Sequence, residues 1–198
     1  MRKIFFYIVS IGILATSIPA ISYRVIEAES ILHVLNLFGY FTIQSNVAVL
    51  VLVIAALSGR RFSRRVELAV AVAITITAII FQLFLRPWIE GTGVTVLVSN
   101  INHGSTTILY LLWFYLSERR EELVFKDILF TIPYPAIYCV FGVLEGLIRK
   151  QARYFFLDLR SLGFLFLLWL VGLILLFLGV ASLIILLDRR PDSIIEET

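Results

Sequence analysis

Apolar residues in this chain gather into long runs. A helix that crosses a bilayer needs ~20 mostly apolar residues, and six runs qualify: 4–22, 35–57, 66–85, 94–116, 125–148 and 162–187. The second can begin as early as Ile31, because Ile-Leu-His-Val-Leu-Asn-Leu is apolar too. Pro133 and Pro135 interrupt the fifth. Neighbouring groups satisfy the carbonyls that proline frees inside a membrane helix, so a kink is expected there and not a break. The first run follows Arg2 and Lys3 and ends near Ala20, like a signal peptide, but it exceeds the usual ~7–15-residue signal core and is expected to stay as an anchor. Connections are short, and no repeat or soluble insert stands between the runs. The expected fold is all-α: one bundle of six transmembrane helices over residues 1–198.

Composition strengthens this picture. Of 198 residues, 60% are hydrophobic and 16% charged, and the mean hydropathy is +0.98. Soluble domains sit near ~45–50% apolar and ~25% charged, and a domain this small cannot hide so much apolar surface in one water-soluble core. A soluble enzyme, a secreted disulfide scaffold and a disordered tail are excluded. Cys139 is the single cysteine, and His33 and His103 are the two histidines. That inventory offers no disulfide and no metal-binding cluster, and no cofactor is expected.

The net charge of +3 reflects basic loops, not a nucleic-acid surface. With six spans, the termini share a face with the second and fourth connections. That face carries Arg2, Lys3, Arg60, Arg61, Arg64, Arg65, Arg119, Arg120, Lys126, Arg189 and Arg190. The other carries Arg24, Arg86, Arg149, Lys150, Arg153 and Arg160. Eleven against six puts both termini in the cytoplasm.

Polar side chains are costly in hydrocarbon, so their positions inside the runs are informative. In the second run Thr42, Ser45 and Asn46 share a helix face. In the fourth, Asn100, His103 and Thr107 repeat that spacing, with Ser99 and Thr106 at the edge. Gln82 and Arg86 end the third, and Tyr134, Tyr138, Phe141 and Glu145 form a stripe along the fifth. Given the alternating directions of the spans, all these residues fall in the outer half. At ~1.5 Å per residue, His103 lies ~14 Å and Thr42 ~10 Å below the outer surface. The cytoplasmic halves are nearly pure Leu, Ile, Val, Ala and Phe. An outward-opening polar pocket with an apolar floor is expected.

Most such residues have an ordinary structural reading. Ser, Thr and Asn in membrane helices commonly bond a carbonyl or a neighbouring helix, Glu145 can pair with Arg149 one turn on, and Trp113 and Tyr154 read as interface aromatics. His103 stands apart as the histidine well inside a run, among polar neighbours. An imidazole beside hydroxyls is the minimum for nucleophilic catalysis, because a Thr or Ser hydroxyl attacks only when a base takes its proton. Amides of Asn or Gln can hold the resulting oxyanion. From spacing alone, a proton relay or a transporter site has the same pattern.

Six pieces of the chain, in order, carry a family resemblance: Y-F-T-I-Q-S-N at 40–46, F-Q-L-F-L-R at 81–86, N-H at 102–103, I-P-Y-P-A-I-Y at 132–138, Y-F-F-L-D-L-R-S-L-G at 154–163 and L-L-D-R-R at 186–190. Together they resemble the androgen-induced family of integral-membrane threonine hydrolases, in its prokaryotic six-helix branch. The resemblance implies hydrolysis of fatty-acid esters by a threonine and a histidine inside membrane helices, and these match Thr42 and His103. The chain departs from the pattern at Thr107, where the family has proline, at Trp113, where an acid is usual, and at Glu145, where arginine is usual; Arg149 stands one turn later.

The resulting expectation is a cell-membrane hydrolase acting on a lipid or fatty-acid ester. Thr42 attacks the acyl carbonyl and His103 is the base. Ser45, Asn46, Gln82, Asn100, Tyr134, Tyr138 and Glu145 line the pocket, with Asn46, Asn100 or Gln82 donating to the oxyanion. Arg86 and the basic segment from Arg149 to Arg160 hold a charged head group. Asp158 either ties that segment down or orients a group in the site. The rival expectation is a small transporter or lipid-binding membrane protein without chemistry.

Overall fold

The computed structural model describes residues 1–88, 93–117 and 121–189. Arg119, Arg120 and Arg190 of the charge count lie outside the described residues. Among those described, the secondary structure is entirely helical. Four helices are long and apolar enough to cross a membrane: α1 (Arg2–Ile26), the helix Arg64–Leu85, the helix Phe125–Arg149 and α9 (Leu165–Asp188). A fifth span is available if α2 (Ile31–Leu37) and α3 (Phe41–Leu57), bent by 80° to one another, count as one. Leucines, isoleucines and phenylalanines lie exposed along these helices, including Ile8, Ile11, Leu168, Leu175 and Leu183. Such a surface suits hydrocarbon and not water.

The second run therefore does not continue straight from Ile31. Ser30 caps α2 by accepting the His33 N–H. The chain then turns through Phe38–Gly39, and Tyr40 takes an extended conformation as the N-cap of α3. No residue of α2 is buried. In the fifth run, a 3-10 helix over Phe125–Thr131 gives way to α7 (Pro133–Arg149). Pro133 occupies the first α-helical position, where a missing N–H costs nothing. Lys150, in the left-handed region at φ 61°, ends α7.

Residues 94–116 are helical but are not among the long apolar helices. They run as α5 (Val94–Asn100), a π turn over Ile101–Ser105 and α6 (Thr106–Leu116). The stretch Ser-Asn-Ile-Asn-His-Gly-Ser-Thr-Thr at 99–107 makes the centre polar. α4 (Arg64–Ile80) likewise passes into a π turn over Phe81–Leu85. It is the most buried of the long apolar helices and packs on α3, α6 and α9. On α1 the buried residues are Phe6, Ser10, Ile13, Ser17 and Ala20, a narrow stripe of mostly small side chains turned to α6. Small residues let membrane helices approach closely. Ser17 and Thr106 bond across this seam at 2.9 Å, and the Trp113 indole N–H donates to Ser10 Oγ at 3.0 Å. Trp113 is thus a fully buried core residue and not an interface anchor.

Both described ends of the chain meet at one end of the bundle. Arg2 donates to the carbonyls of Tyr115, Leu116 and Ser117. Arg64, 2% exposed, donates to Glu67 at 2.9 Å, to Asp188 at 2.7 Å, to Ser117 Oγ at 2.7 Å and to the Phe114 carbonyl at 2.9 Å. Its guanidinium also lies 3.5 Å from the Phe114 ring centre. Arg65 pairs with Asp127 at 2.7 Å. This basic end is closed by its own ion pairs.

Candidate active site

Thr42 is the second residue of α3. Its hydroxyl lies 3.3 Å from His103 Nε2. The other ring nitrogen, Nδ1, is 2.8 Å from the Ser99 carbonyl. A carbonyl only accepts, so Nδ1 carries the proton and Nε2 presents a lone pair to Thr42. The Phe81 ring stacks on the imidazole, 3.8 Å between centroids and 12° from parallel, and holds its plane.

Two π turns flank this pair. A π turn inserts one extra residue into a helix and is frequent at functional sites. At Ile101–Ser105, the Thr106 N–H reaches back to the Ile101 carbonyl. The Asn102 carbonyl, its partner in a regular α-helix, is left free, and Asn46 takes it: Asn46 Nδ2 donates to Asn102 O and to Thr42 O, both at 2.8 Å. Asn46 is fully buried and thereby ties α3, which carries Thr42, to the π turn that carries His103. At Phe81–Leu85 the Arg86 N–H bonds the Phe81 carbonyl in the same manner, and Phe81 carries the ring that meets His103.

The other sequence-derived residues fall into three groups. Ser45 is fully buried, donates to the Thr42 carbonyl at 3.0 Å and meets Thr77 Oγ1 at 3.2 Å. Tyr138 donates to the Gly39 carbonyl at 2.9 Å and accepts the Phe41 N–H at 3.2 Å. Tyr134 donates to Gln44 Oε1 at 2.9 Å and stacks on Phe41. These residues build the buried N-terminus of α3. Gln82 instead faces out and accepts from Arg86 at 2.9 Å. Asn100 is half-buried; the buried asparagine of its helix is Asn102. Thr107 donates to the Ile74 carbonyl at 3.0 Å.

Glu145, Arg149 and Asp158 lie apart from Thr42. Glu145 pairs with Arg153 at 2.5 Å and with Arg149 at 3.0 Å, and both arginines donate to Asn36. Arg153 also lies 4.9 Å from the Tyr40 ring centre. These groups border an open cavity of about 670 Å³ with Leu32, Leu35, Phe38 and Phe141 on its apolar side. Asp158 lies at the surface, accepts the N–H groups of Arg160 and Ser161 and caps α8 (Leu159–Leu162). The Ser161 hydroxyl and N–H hold its carboxyl below the usual range. Of its two expected roles, tying the segment down is the one the contacts match.

A second, narrow cavity of about 50 Å³ opens directly beside Thr42. Ile76, Ile80, Cys139, Leu157, Leu173 and Phe177 make its apolar walls, and Thr42, Thr77, Tyr138 and Tyr154 its polar edge. Tyr154, expected as an interface aromatic, is 8% exposed and shares the lining of this cavity with Thr42 and Tyr138. Burial pushes its phenol above the ordinary range, so it stays a neutral donor. No helical periodicity marks Tyr154, since it sits in a connection; its place in the Y-F-F-L-D piece is its only sequence signal. Among the described residues, no group of three or more His, Cys, Asp or Glu side chains is arranged to hold a metal ion.

No protein-family model, curated protein or solved structure matches the chain.

Proposed function

We propose that this chain is a multi-pass membrane ester hydrolase with a threonine nucleophile. Six spans with cytoplasmic termini fit the reading: the bent pair α2–α3 and the polar-centred stretch 94–116 join the four long apolar helices. The observation that carries the proposal is the Thr42–His103 contact at 3.3 Å, with the far imidazole nitrogen fixed by Ser99. A base must lie within hydrogen-bond reach of the proton it removes, and such contacts are often long before substrate binds.

In the reaction, the Thr42 oxygen bonds the acyl carbon as its proton passes to His103 Nε2, and the carbonyl electron pair moves onto oxygen. Collapse breaks the ester C–O bond, and the leaving alcohol takes the proton from His103. Water then repeats the sequence on the acyl-threonine, freeing the acid and restoring the hydroxyl. The apolar cavity beside Thr42 suits an acyl chain. The wider cavity at Arg149 and Arg153 suits a charged head group: two arginines against Glu145 leave one net positive charge. Arg86, paired with Gln82 outside that cavity, has no part in it. Resemblance to the androgen-induced hydrolases supports the same reading.

The test uses purified protein, a fluorogenic medium-chain ester and a serine/threonine-reactive phosphonate. Thr42→Ala is expected to lose labelling and His103→Ala to lose turnover. Unchanged activity in both variants rejects the proposal.

A further inference from the structure

We propose that the cavity beside Thr42 is loaded from within the bilayer: a fatty-acyl chain enters sideways through a window between α7 and α9, seats its first few carbons beside Thr42 and leaves the rest in the hydrocarbon. The inference deepens the ester-hydrolase reading, on which the role of Thr42 rests, by naming the acyl half of the substrate and its route.

Two ion pairs orient the helices around the cavity. Arg64–Asp188 and Arg65–Asp127 bring the start of α4, the end of α9 and the turn before α7 to one end of the bundle. α4 and α7 therefore run away from that basic end, and α9 runs toward it. Each helix lends the cavity two residues four apart. Ile80, Cys139 and Leu173 form a rung on the far side, with Thr42 and Tyr138. Ile76, Pro135 and Phe177 form a second rung one turn, ~5.4 Å, nearer the basic end.

α7 and α9 meet through two 3-10 turns, Phe125–Thr131 near the basic end and Phe155–Leu157 at the other, more than through each other. Gly142 lets the upper turn close on α7, since a Cβ there would come 2.7 Å from the Leu157 side chain. The turns are the sill and lintel of a gap between the two helices. Pro135, Cys139 and Phe177 at its sides are half-buried, so each faces both the cavity and the outside. Val140, Ile174 and Leu178, the next residues along, are exposed on the surface that suits lipid. Opposite the gap, Ile76 and Ile80 of α4 are 3% and 6% exposed.

Size and polarity fix the occupant. One water-sized group takes at least ~10–15 Å³ of such a cavity. The 50 Å³ beside Thr42 therefore seats about three to five chain carbons. The remainder of a longer chain must lie outside, and the window puts it in hydrocarbon. The two rungs hold no hydrogen-bonding group stronger than a thiol, whereas the Thr42 end carries hydroxyls. A chain that enters tail-outward thus brings its carbonyl to the polar end.

The experiment uses the whole protein in phosphatidylcholine vesicles that hold palmitic acid with a diazirine near its carboxyl group. On illumination the diazirine loses N2, the carbene inserts into a C–H bond of the side chain it touches, and mass spectrometry locates the label. Label is expected on the buried Ile76 or Ile80 as well as on the lipid-facing Leu168 and Leu175. Cys139→Trp, whose indole fills the gap, is expected to lose the α4 label and keep the other two. Should it fold poorly, Phe177→Trp narrows the same gap from α9 and takes its place. Label confined to exposed residues in the wild type overturns the window, and so does undiminished α4 label in the folded tryptophan variant. Binding needs no turnover, so the two readings separate. Label on α4 without ester turnover keeps the window and rejects the hydrolase. Turnover that Thr42→Ala abolishes, with no label on α4, keeps the hydrolase and rejects this route.

Discussion

Asn46 offers the sharpest energetic test of the site. Its side chain is fully buried, and its amide bridges two carbonyl oxygens, one on its own helix and one on the facing π turn. Its own Oδ1 is buried without a partner. Two substitutions of similar size separate these effects. Asn46→Leu loses the interhelical bond, worth about 0.6 and at most about 1.7 kcal/mol in membranes. It also orphans the Asn102 carbonyl, at about 1–3 kcal/mol. Deleting the unpartnered Oδ1 offsets about the same 1–3 kcal/mol, so the net loss is about 1–2 kcal/mol. Asn46→Asp keeps the unpartnered oxygen, puts an acceptor against two carbonyls and buries an uncompensated acid, a loss of about 3–5 kcal/mol.

Cys139, the single cysteine, is partly buried and lines the apolar cavity. A thiol-reactive dye that brightens as Cys139 becomes exposed on heating therefore reports unfolding in detergent. The expected order of midpoints is wild type, then Asn46→Leu, then Asn46→Asp, with the aspartate variant lower by a clear margin. Turnover is expected to fall in both, because Asn102 and His103 are consecutive and lose their tie to α3. An aspartate variant as stable as the leucine variant would refute the argument, since the amide would then not be acting as a donor between two carbonyls.

Two further outcomes follow from the remaining polar network. Arg64→Ala is expected to lose about 3–5 kcal/mol, because Glu67 stays buried without the guanidinium that bonds it; adding Glu67→Gln is expected to restore part of the dye midpoint. Gly39→Ala would place a Cβ 2.3 Å from the Arg153 guanidinium, which must leave its place between Glu145 and Asn36. The cost is expected between the ~0–1 kcal/mol of an exposed pair and the ~3–5 of a buried one. Gly39→Ala combined with Arg153→Ala should then melt no lower than Arg153→Ala alone, since contacting residues are not additive.

The membrane class, the helical fold and the Thr42–Ser45–Asn46 face were legible because hydrophobic run length and i, i+4 spacing are local properties. The depth argument likewise brought Thr42 and His103 to similar levels, and they lie in contact. What stayed hidden has physical causes. A π turn shifts helix phase by one residue without a compositional mark, so a straight-helix projection selected Asn100 where Asn102 is the buried one. The 80° bend before α3 lies within an apolar run that hydropathy reads as continuous. Tyr154 and Arg153 belong to a connection, where no period exists to assign them a face. Glu145 was placed in the pocket because its own helix could not reveal that Arg153, eight residues on, would fold back to claim it.

The bend also explains why the Thr42 hydroxyl meets an imidazole where most buried Ser and Thr hydroxyls bond backbone. A Ser or Thr inside a helix normally donates to the carbonyl three or four residues before it. Ser10, Ser45, Thr77, Ser117 and Thr131 do so, with Phe6, Thr42, Ala73, Phe114 and Ile128. Thr106 uses the carbonyl five residues back, and Thr107 uses Ile74 on another helix. Their protons are held by backbone, which is never basic enough to take one. Thr42 sits one residue past the start of α3, so the carbonyl four positions earlier belongs to Phe38, before the bend, where Gln44 Nε2 already donates to it at 2.7 Å. With no helix carbonyl in reach, the hydroxyl turns to the imidazole. The same threonine one turn deeper in α3 would have a helix carbonyl to bond, so in the proposed mechanism the position of the nucleophile is set by the break in the helix as much as by the nearness of His103.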